Sequence, residues 1–219
     1  RAHRKPVAVA LMLNFLAARG FSREHFNITY YAKFFCHEEA EQYFQQLQTN
    51  IEYYPKEMTR VIICGRAVNI PRDQVAFSDS GLEYRFSGTA IPGKPWIKPI
   101  SDIKHKIEEK IGEQFNFCLV NRYKDGTHGI GQHSDDETQL FSDAPIIAVS
   151  FGEERKMVFE SKQSRSGKDK KSMTIPLHNG SVLVMHPPTN RFWTHGIPKD
   201  KCITRPRISL TFRKMKSTD

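Results

Sequence analysis

PRISLTFRK, residues 206–214, alternates with a period of two: Ile208, Leu210 and Phe212 fall on one side of an extended chain, and Arg207, Ser209, Thr211 and Arg213 on the other. Two placements fit this pattern. At the edge of a sheet the polar side faces water, and the strand is ordinarily amphipathic. Inside a barrel the same side carries two guanidiniums away from water, and a buried charge is retained only when it is paired. On a straight strand the Cα atoms of Arg207 and Arg213 stand about 20 Å apart. The two side chains therefore either converge on one anion from opposite ends or divide between a ligand and the protein. A dicarboxylate would suit the barrel placement, with Arg207 as its bidentate clamp.

Upstream of this strand lie FNFCLVNRY (115–123), PIIAVSF (145–151), KMVFE (156–160), MTIPL (173–177) and SVLVMH (181–186), each short and bounded by turn residues. Asn179-Gly180 predicts a hairpin between the last two. From His37 to Thr49, Ala40, Tyr43, Phe44 and Leu47 recur at offsets of three and four with Glu38 and Glu39 in the first turn, which predicts an amphipathic helix. A second helix is predicted from Ser101 as N-cap, with Ile103, Ile107 and Ile111 on one face and Gly112 at its end. Two helices followed by many short strands indicate an α+β protein with a β-sandwich or jelly-roll core.

A chain of 219 residues fits one domain. Lys and Arg number 33 against 24 Asp and Glu, a net charge of +9, which favours polyanions and nucleic acid first among them. Charge alone equally fits a basic protein with no such partner. Cys36, Cys64, Cys118 and Cys202 form neither a CxxC pair nor a disulfide framework, so a reducing compartment is expected. The longest apolar stretch, Val7 to Ala18, contains Asn14 and falls short of the ~20 residues of a spanning helix, so no membrane partner is expected. Residues 1–23, basic and without an acidic residue, read as a transit peptide, the hydrophobic part of a signal, or a surface helix. SKQSRSGKDKKS (161–172) reads as a mobile basic loop, solvated or lying along phosphates.

His133 and Asp135 share one side of an extended segment and Asp136 points to the other. Alone, such an HxD is more often an exposed strand end, and His195 in RFWTHGIP a hydrogen-bonded core histidine. Together, two imidazoles and one carboxylate leave part of a metal's coordination sphere open, the pattern of a non-haem Fe(II) centre that binds a cosubstrate and oxygen. Asn121 and Tyr123 share a face of NRYKDG, either as hydrogen-bond donors to the same acid or as a polar strand exit. A zinc hydrolase built on His128, His133 and His195 lacks a catalytic Glu at suitable spacing.

With NRYKDG (121–126), IGQHSDDE (130–137), His195 and PRISLTFR (206–213) in this order, the chain resembles the AlkB family of Fe(II) and 2-oxoglutarate-dependent dioxygenases from about residue 28 to 215. FSG (86–88), KPWI (94–97) and LTFRK (210–214) bring it nearest to members that repair alkylated duplex DNA. The resemblance implies a double-stranded β-helix, or jelly roll, at residues 115–214. A nucleotide-recognition lid at about 55–100 would sit within a single domain of residues 27–216, after an extension at 1–26. It implies His133, Asp135 and His195 as ligands of Fe(II), and Asn121, Tyr123, Arg207 and Arg213 around 2-oxoglutarate, with O2 as the third reactant. The family reaction converts 2-oxoglutarate to succinate and carbon dioxide and hydroxylates an N-methyl group on a base, whose hydroxymethyl product collapses to formaldehyde. The base must first be flipped out of the duplex.

Tyr84 and Phe86 resemble the family's stacking residues, with the ring of His133 on the opposite side of the base. Asp136 corresponds to a catalytically sensitive position near the substrate and Glu137 to one that selects the base. Arg72 resembles a contact to the unmodified strand and Arg66 a phosphate contact, while Lys199, Lys201 and Arg205 form a second basic cluster. Ile63 and Cys64 stand where duplex-repair members carry an aromatic finger, and Cys64 is small beside a ring, so both duplex and single-stranded DNA are expected partners. Expected substrates are N1-methyladenine, N3-methylcytosine and etheno adducts in alkylated DNA. RNA is the alternative polymer, and a catalytically inactive nucleic-acid-binding homologue the alternative function. A nuclear monomer is expected, mitochondrial if residues 1–23 are a transit peptide.

Overall fold

The computed structural model describes residues 25–63, 65–80, 82–86, 89–135, 137–162 and 171–216. Cys64, Asp136, nearly all of the N-terminal extension and the centre of the basic 161–172 segment lie outside these residues, as do the side chains of Ile63 and Phe86. In chain order the strands are β1 (Ile28–Tyr31), β2 (Arg60–Ile63), β3 (Arg66–Asn69), β4 (Asp73–Ser78), β5 (Glu83–Phe86), β6 (Thr89–Pro92) and β7 (Phe117–Tyr123). They continue as β8 (Ile130–His133), β9 (Ile146–Gly152), β10 (Arg155–Ser161), β11 (Ser172–Leu177), β12 (Ser181–Met185), β13 (Trp193–Ile197) and β14 (Arg207–Arg213). The helices are α1 (His37–Asn50), α2 (Lys98–Ile111) and the single turn α3 (Thr189–Phe192).

A six-stranded antiparallel sheet runs β1-β12-β9-β14-β7-β4, and a four-stranded one β11-β10-β13-β8. Alternation along the strands sorts side chains into two cores. Ile147, Val149 and Phe151 of β9, Val182 and Val184 of β12, and Ile208, Leu210 and Phe212 of β14 face Ala40, Phe44 and Leu47 of α1 and Ile100, Ile103 and Ile107 of α2. Ile146, Ala148, Leu183 and Met185 instead meet Met157, Phe159, Ile175 and Trp193 of the smaller sheet. Ile100, Ile103 and Ile107 are fully buried, each contributing about 2 kcal/mol by removal of apolar surface from water, while Ile111 at the end of α2 is only partly buried. That helix begins at Lys98, three residues before Ser101, because Pro99 in the first turn needs no N–H partner. It ends as expected on Gly112 in the left-handed conformation, φ 80°.

Strand β14 is central, held between β9 and β7, so the solvent-edge placement fails and its polar side faces the space between the sheets. The Asn179-Gly180 expectation is corrected. Gly180 does adopt a positive φ of 76°, but β11 and β12 lie in different sheets, so the turn carries the chain across the sandwich and makes no hairpin. The stretch expected to form a lid divides into two small hairpins, β2–β3 and β5–β6, and between them the fully buried β4, which is an edge strand of the larger sheet. Among the described residues no helix is long and apolar enough to cross a membrane.

Candidate metal and acid site

A cavity of about 530 Å³ opens between the sheets. At one end, antiparallel pairing of β8 with β13 sets His195 directly opposite His133, and Asp135 follows two residues later. One ligand atom from each of His133, Asp135 and His195 lies within 4.8 Å of the others, and His133 Nε2 is 3.7 Å from Asp135 Oδ1. His133 Nδ1 stands 3.0 Å from the Gly131 carbonyl. A carbonyl only accepts, so Nδ1 carries the proton and Nε2 keeps its lone pair for a metal. The Asp135 peptide is clamped from both sides by Asn190 of α3, whose Oδ1 accepts from the Asp135 N–H at 3.0 Å and whose Nδ2 donates to its carbonyl at 2.5 Å.

Arg213 sits behind this cluster, with Nη2 2.7 Å from Asp135 Oδ1 and Nη1 2.7 Å from Glu137 Oε1. Burial would raise the Asp135 carboxyl, but Arg213 and the two imidazoles outweigh it and hold the group below the usual carboxylate range. Burial also works against the charge on Arg213, yet Asp135 and Glu137 keep it protonated. Burial pushes the His195 imidazole down to about 4 despite the pull of Asp135, so at neutral pH the ring is uncharged, as a metal ligand must be.

At the other end Arg207 is 1% exposed. Its Nη2 donates to Ser150 Oγ at 2.8 Å and Ser209 Oγ at 3.2 Å, and its guanidinium lies 5.3 Å from the centre of the Tyr123 ring. Nε and Nη1 are buried without a hydrogen-bond partner, and among the described residues no carboxylate pairs with the charge. Burial lowers its pKa to about 10, which leaves it protonated at neutral pH. Arg155, also buried, packs on Tyr123 and donates to the carbonyls of Asp125, His128 and Pro198, pinning the β7–β8 connection.

The sequence matches the 2OG-Fe(II) oxygenase superfamily over residues 27–213. It is 39% identical to the DNA oxidative demethylase ALKBH2 of Mus musculus over 191 residues, covering 86% of this chain and 80% of that one. To the Homo sapiens protein of the same name it is 41% identical over 188 residues, 84% of this chain and 72% of that one. The chain belongs to the AlkB family of 2OG-Fe(II) oxygenases. Its fold matches the structure titled "The structure of OsALKBH1" with a TM-score of 0.58 at 17% identity, across 89% of this chain and 98% of that one.

The residues present fit the Fe(II) and 2-oxoglutarate that the family employs. Ligands about 2.0–2.2 Å from one ion stand roughly 3–4 Å apart, close to the spacing of the histidine–aspartate cluster. A dicarboxylate supplies the counter-charge that Arg207 lacks.

Ten of the expected site residues line the one cavity: Arg72, Tyr84, Asn121, Tyr123, His133, Asp135, Glu137, His195, Arg207 and Arg213. Tyr84 is buried, with its ring 5.7 Å from that of Phe117. Arg66 is exposed on β3, outside the cavity lining. Two of these residues also make contacts that the sequence did not indicate. Arg213, expected around the acid, commits both terminal nitrogens to Asp135 and Glu137. Arg72, expected on the unmodified strand, is 6% exposed and donates inward to Asn121. Asn190, Ser150, Gln74 and Arg155 were not anticipated. A lone serine in the apolar run PIIAVSF was a readable signal for Ser150, whereas Asn190 in PPTN reads as an ordinary turn residue.

Proposed function

We propose that this protein is an oxidative DNA demethylase acting on N1-methyladenine and N3-methylcytosine, with etheno adducts as further substrates. The observation that carries the reading is a single cavity joining the His133, Asp135 and His195 cluster to an unpaired, buried Arg207. The choice of DNA draws support from the two ALKBH2 relatives, each called a DNA oxidative demethylase, and from the net charge of +9.

His133, Asp135 and His195 would hold Fe(II), and Arg207 would clamp a carboxylate of 2-oxoglutarate with Asn121 and Tyr123 beside it. When bound, iron and cosubstrate supply the oxidising chemistry that hydroxylates the N-methyl group. The chain's own part is orientation. Arg213 keeps Asp135 ionised, and Asn190 fixes the peptide from which that carboxylate projects. Tyr84 offers a ring to the flipped base, where stacking is worth ~1–3 kcal/mol. Glu137 retains a buried oxygen, Oε2, without a hydrogen-bond partner, suited to accept from the exocyclic amino group of a cationic methylated adenine or cytosine. The enzyme acts, on this reading, as a nuclear monomer on duplex and single-stranded DNA.

Mass spectrometry of methylated oligonucleotides incubated with the protein, Fe(II), 2-oxoglutarate and air tests this. Loss of the methyl mass with release of formaldehyde is expected from DNA, and Asp135→Ala should abolish it. Turnover confined to methylated RNA would overturn the assignment of the polymer, and no turnover of either would overturn the enzyme.

A further inference from the structure

Arg72 enters β4 from the hairpin side and turns inward: its carbonyl accepts from Lys56 Nζ at 2.9 Å, and its Nε donates to Asn121 Oδ1 at 2.9 Å. Gln74 Nε2 approaches the same oxygen at 3.3 Å. A guanidinium has five N–H groups and no acceptor, so the Asn121 atom facing it must be oxygen. Gln74 alone could not settle this, because a carboxamide offers either end and two amides can exchange roles by rotating together. With Oδ1 fixed by two donors, Nδ2 points away from both. It makes no hydrogen bond among the described residues, and Asn121 lines the cavity. Asn121 lies opposite Ser209 on β14, one of the two serines that receive Arg207.

We infer that Arg72 is a positioning residue of the acid pocket, a donor-only group that locks the Asn121 carboxamide with its NH2 presented to the bound acid. The role runs through Asn121 and needs no contact between Arg72 and the cosubstrate or nucleic acid. It also accounts for an arginine buried where a smaller polar residue would fill the wall. The inference rests on reading the cavity as a 2-oxoglutarate site, and the two can fail separately.

Calorimetric titration of manganese-loaded protein with 2-oxoglutarate reads the effect without turnover. Arg72→Met is expected to weaken the acid about tenfold, the effect of one well-placed hydrogen bond, while affinity for a methylated oligonucleotide changes less than about twofold. Because Arg72 acts through its neighbour, adding Arg72→Met to Asn121→Ala should cost little beyond Asn121→Ala alone. Asn121→Asp, which keeps Arg72 and Gln74 satisfied but replaces the presented NH2 by a second acceptor, should bind the acid more weakly than Asn121→Ala. This comparison does not depend on Arg72→Met folding. Unchanged acid affinity in Arg72→Met with a weakened oligonucleotide, full additivity in the double variant, or Asn121→Asp binding better than Asn121→Ala would each overturn the role. Failure of the wild-type protein to bind 2-oxoglutarate would instead overturn the enzymatic reading beneath it.

Discussion

Arg207 and Arg213 occupy the same strand and the same face, are both shut off from solvent, and share one side of the alternation in PRISLTFRK. Their surroundings differ completely. Arg213 meets two carboxylates at 2.7 Å through its terminal nitrogens, with Nε left without a partner, so its charge is compensated within the folded protein and holds Asp135 in the form a metal requires. Arg207 has two serine hydroxyls, an aromatic face and two nitrogens without a partner, and among the described residues no carboxylate compensates its charge. One guanidinium is neutralised within the protein and the other is not, and the difference lies in what the neighbouring strands and the segment after His133 place beside each.

The sharpest way to break this comparison is to truncate each arginine in turn. Arg213→Met strands the buried Asp135 and the part-buried Glu137 and should lower the unfolding free energy by about 3–5 kcal/mol in denaturant titrations, with loss of metal retention. Arg207→Met removes a buried charge that has no carboxylate partner, so stability should hold or rise, while 2-oxoglutarate affinity falls by about two orders of magnitude. Equal destabilisation by the two variants would show that Arg207 is also satisfied by the protein. The smallest effect belongs to Ser150→Ala, which leaves the charge but frees its fork. Acid binding should weaken about threefold to fivefold in the same titration, and an unchanged value would assign the orientation of Arg207 to Ser209 alone.

Much of the strand content was legible, because alternation is local and each run is closed by turn residues. Which side of β14 faces inward was not, since that depends on β7 and β9 flanking it, two strands more than 50 residues away in sequence. His133 and Asp135 could be paired from their spacing, but their convergence with His195 is a property of cross-strand register. The same limit explains Asn179-Gly180: the dipeptide reports a tight turn faithfully and says nothing about which strands pair beyond it. The inward turn of Arg72 was hidden for a related reason, since its partner Asn121 comes from another strand.

Strand β1, near residue 30, pairs with β12, near residue 183, and His133 meets its counterpart only when β13 is in place. Pairings so distant in sequence cannot form until both strands have been synthesised. During translation His133 and Asp135 therefore emerge before His195 exists, and the three cannot converge until β13 has cleared the exit tunnel. Any metal that meets the chain earlier finds only His133 and Asp135, two of the three clustered donors.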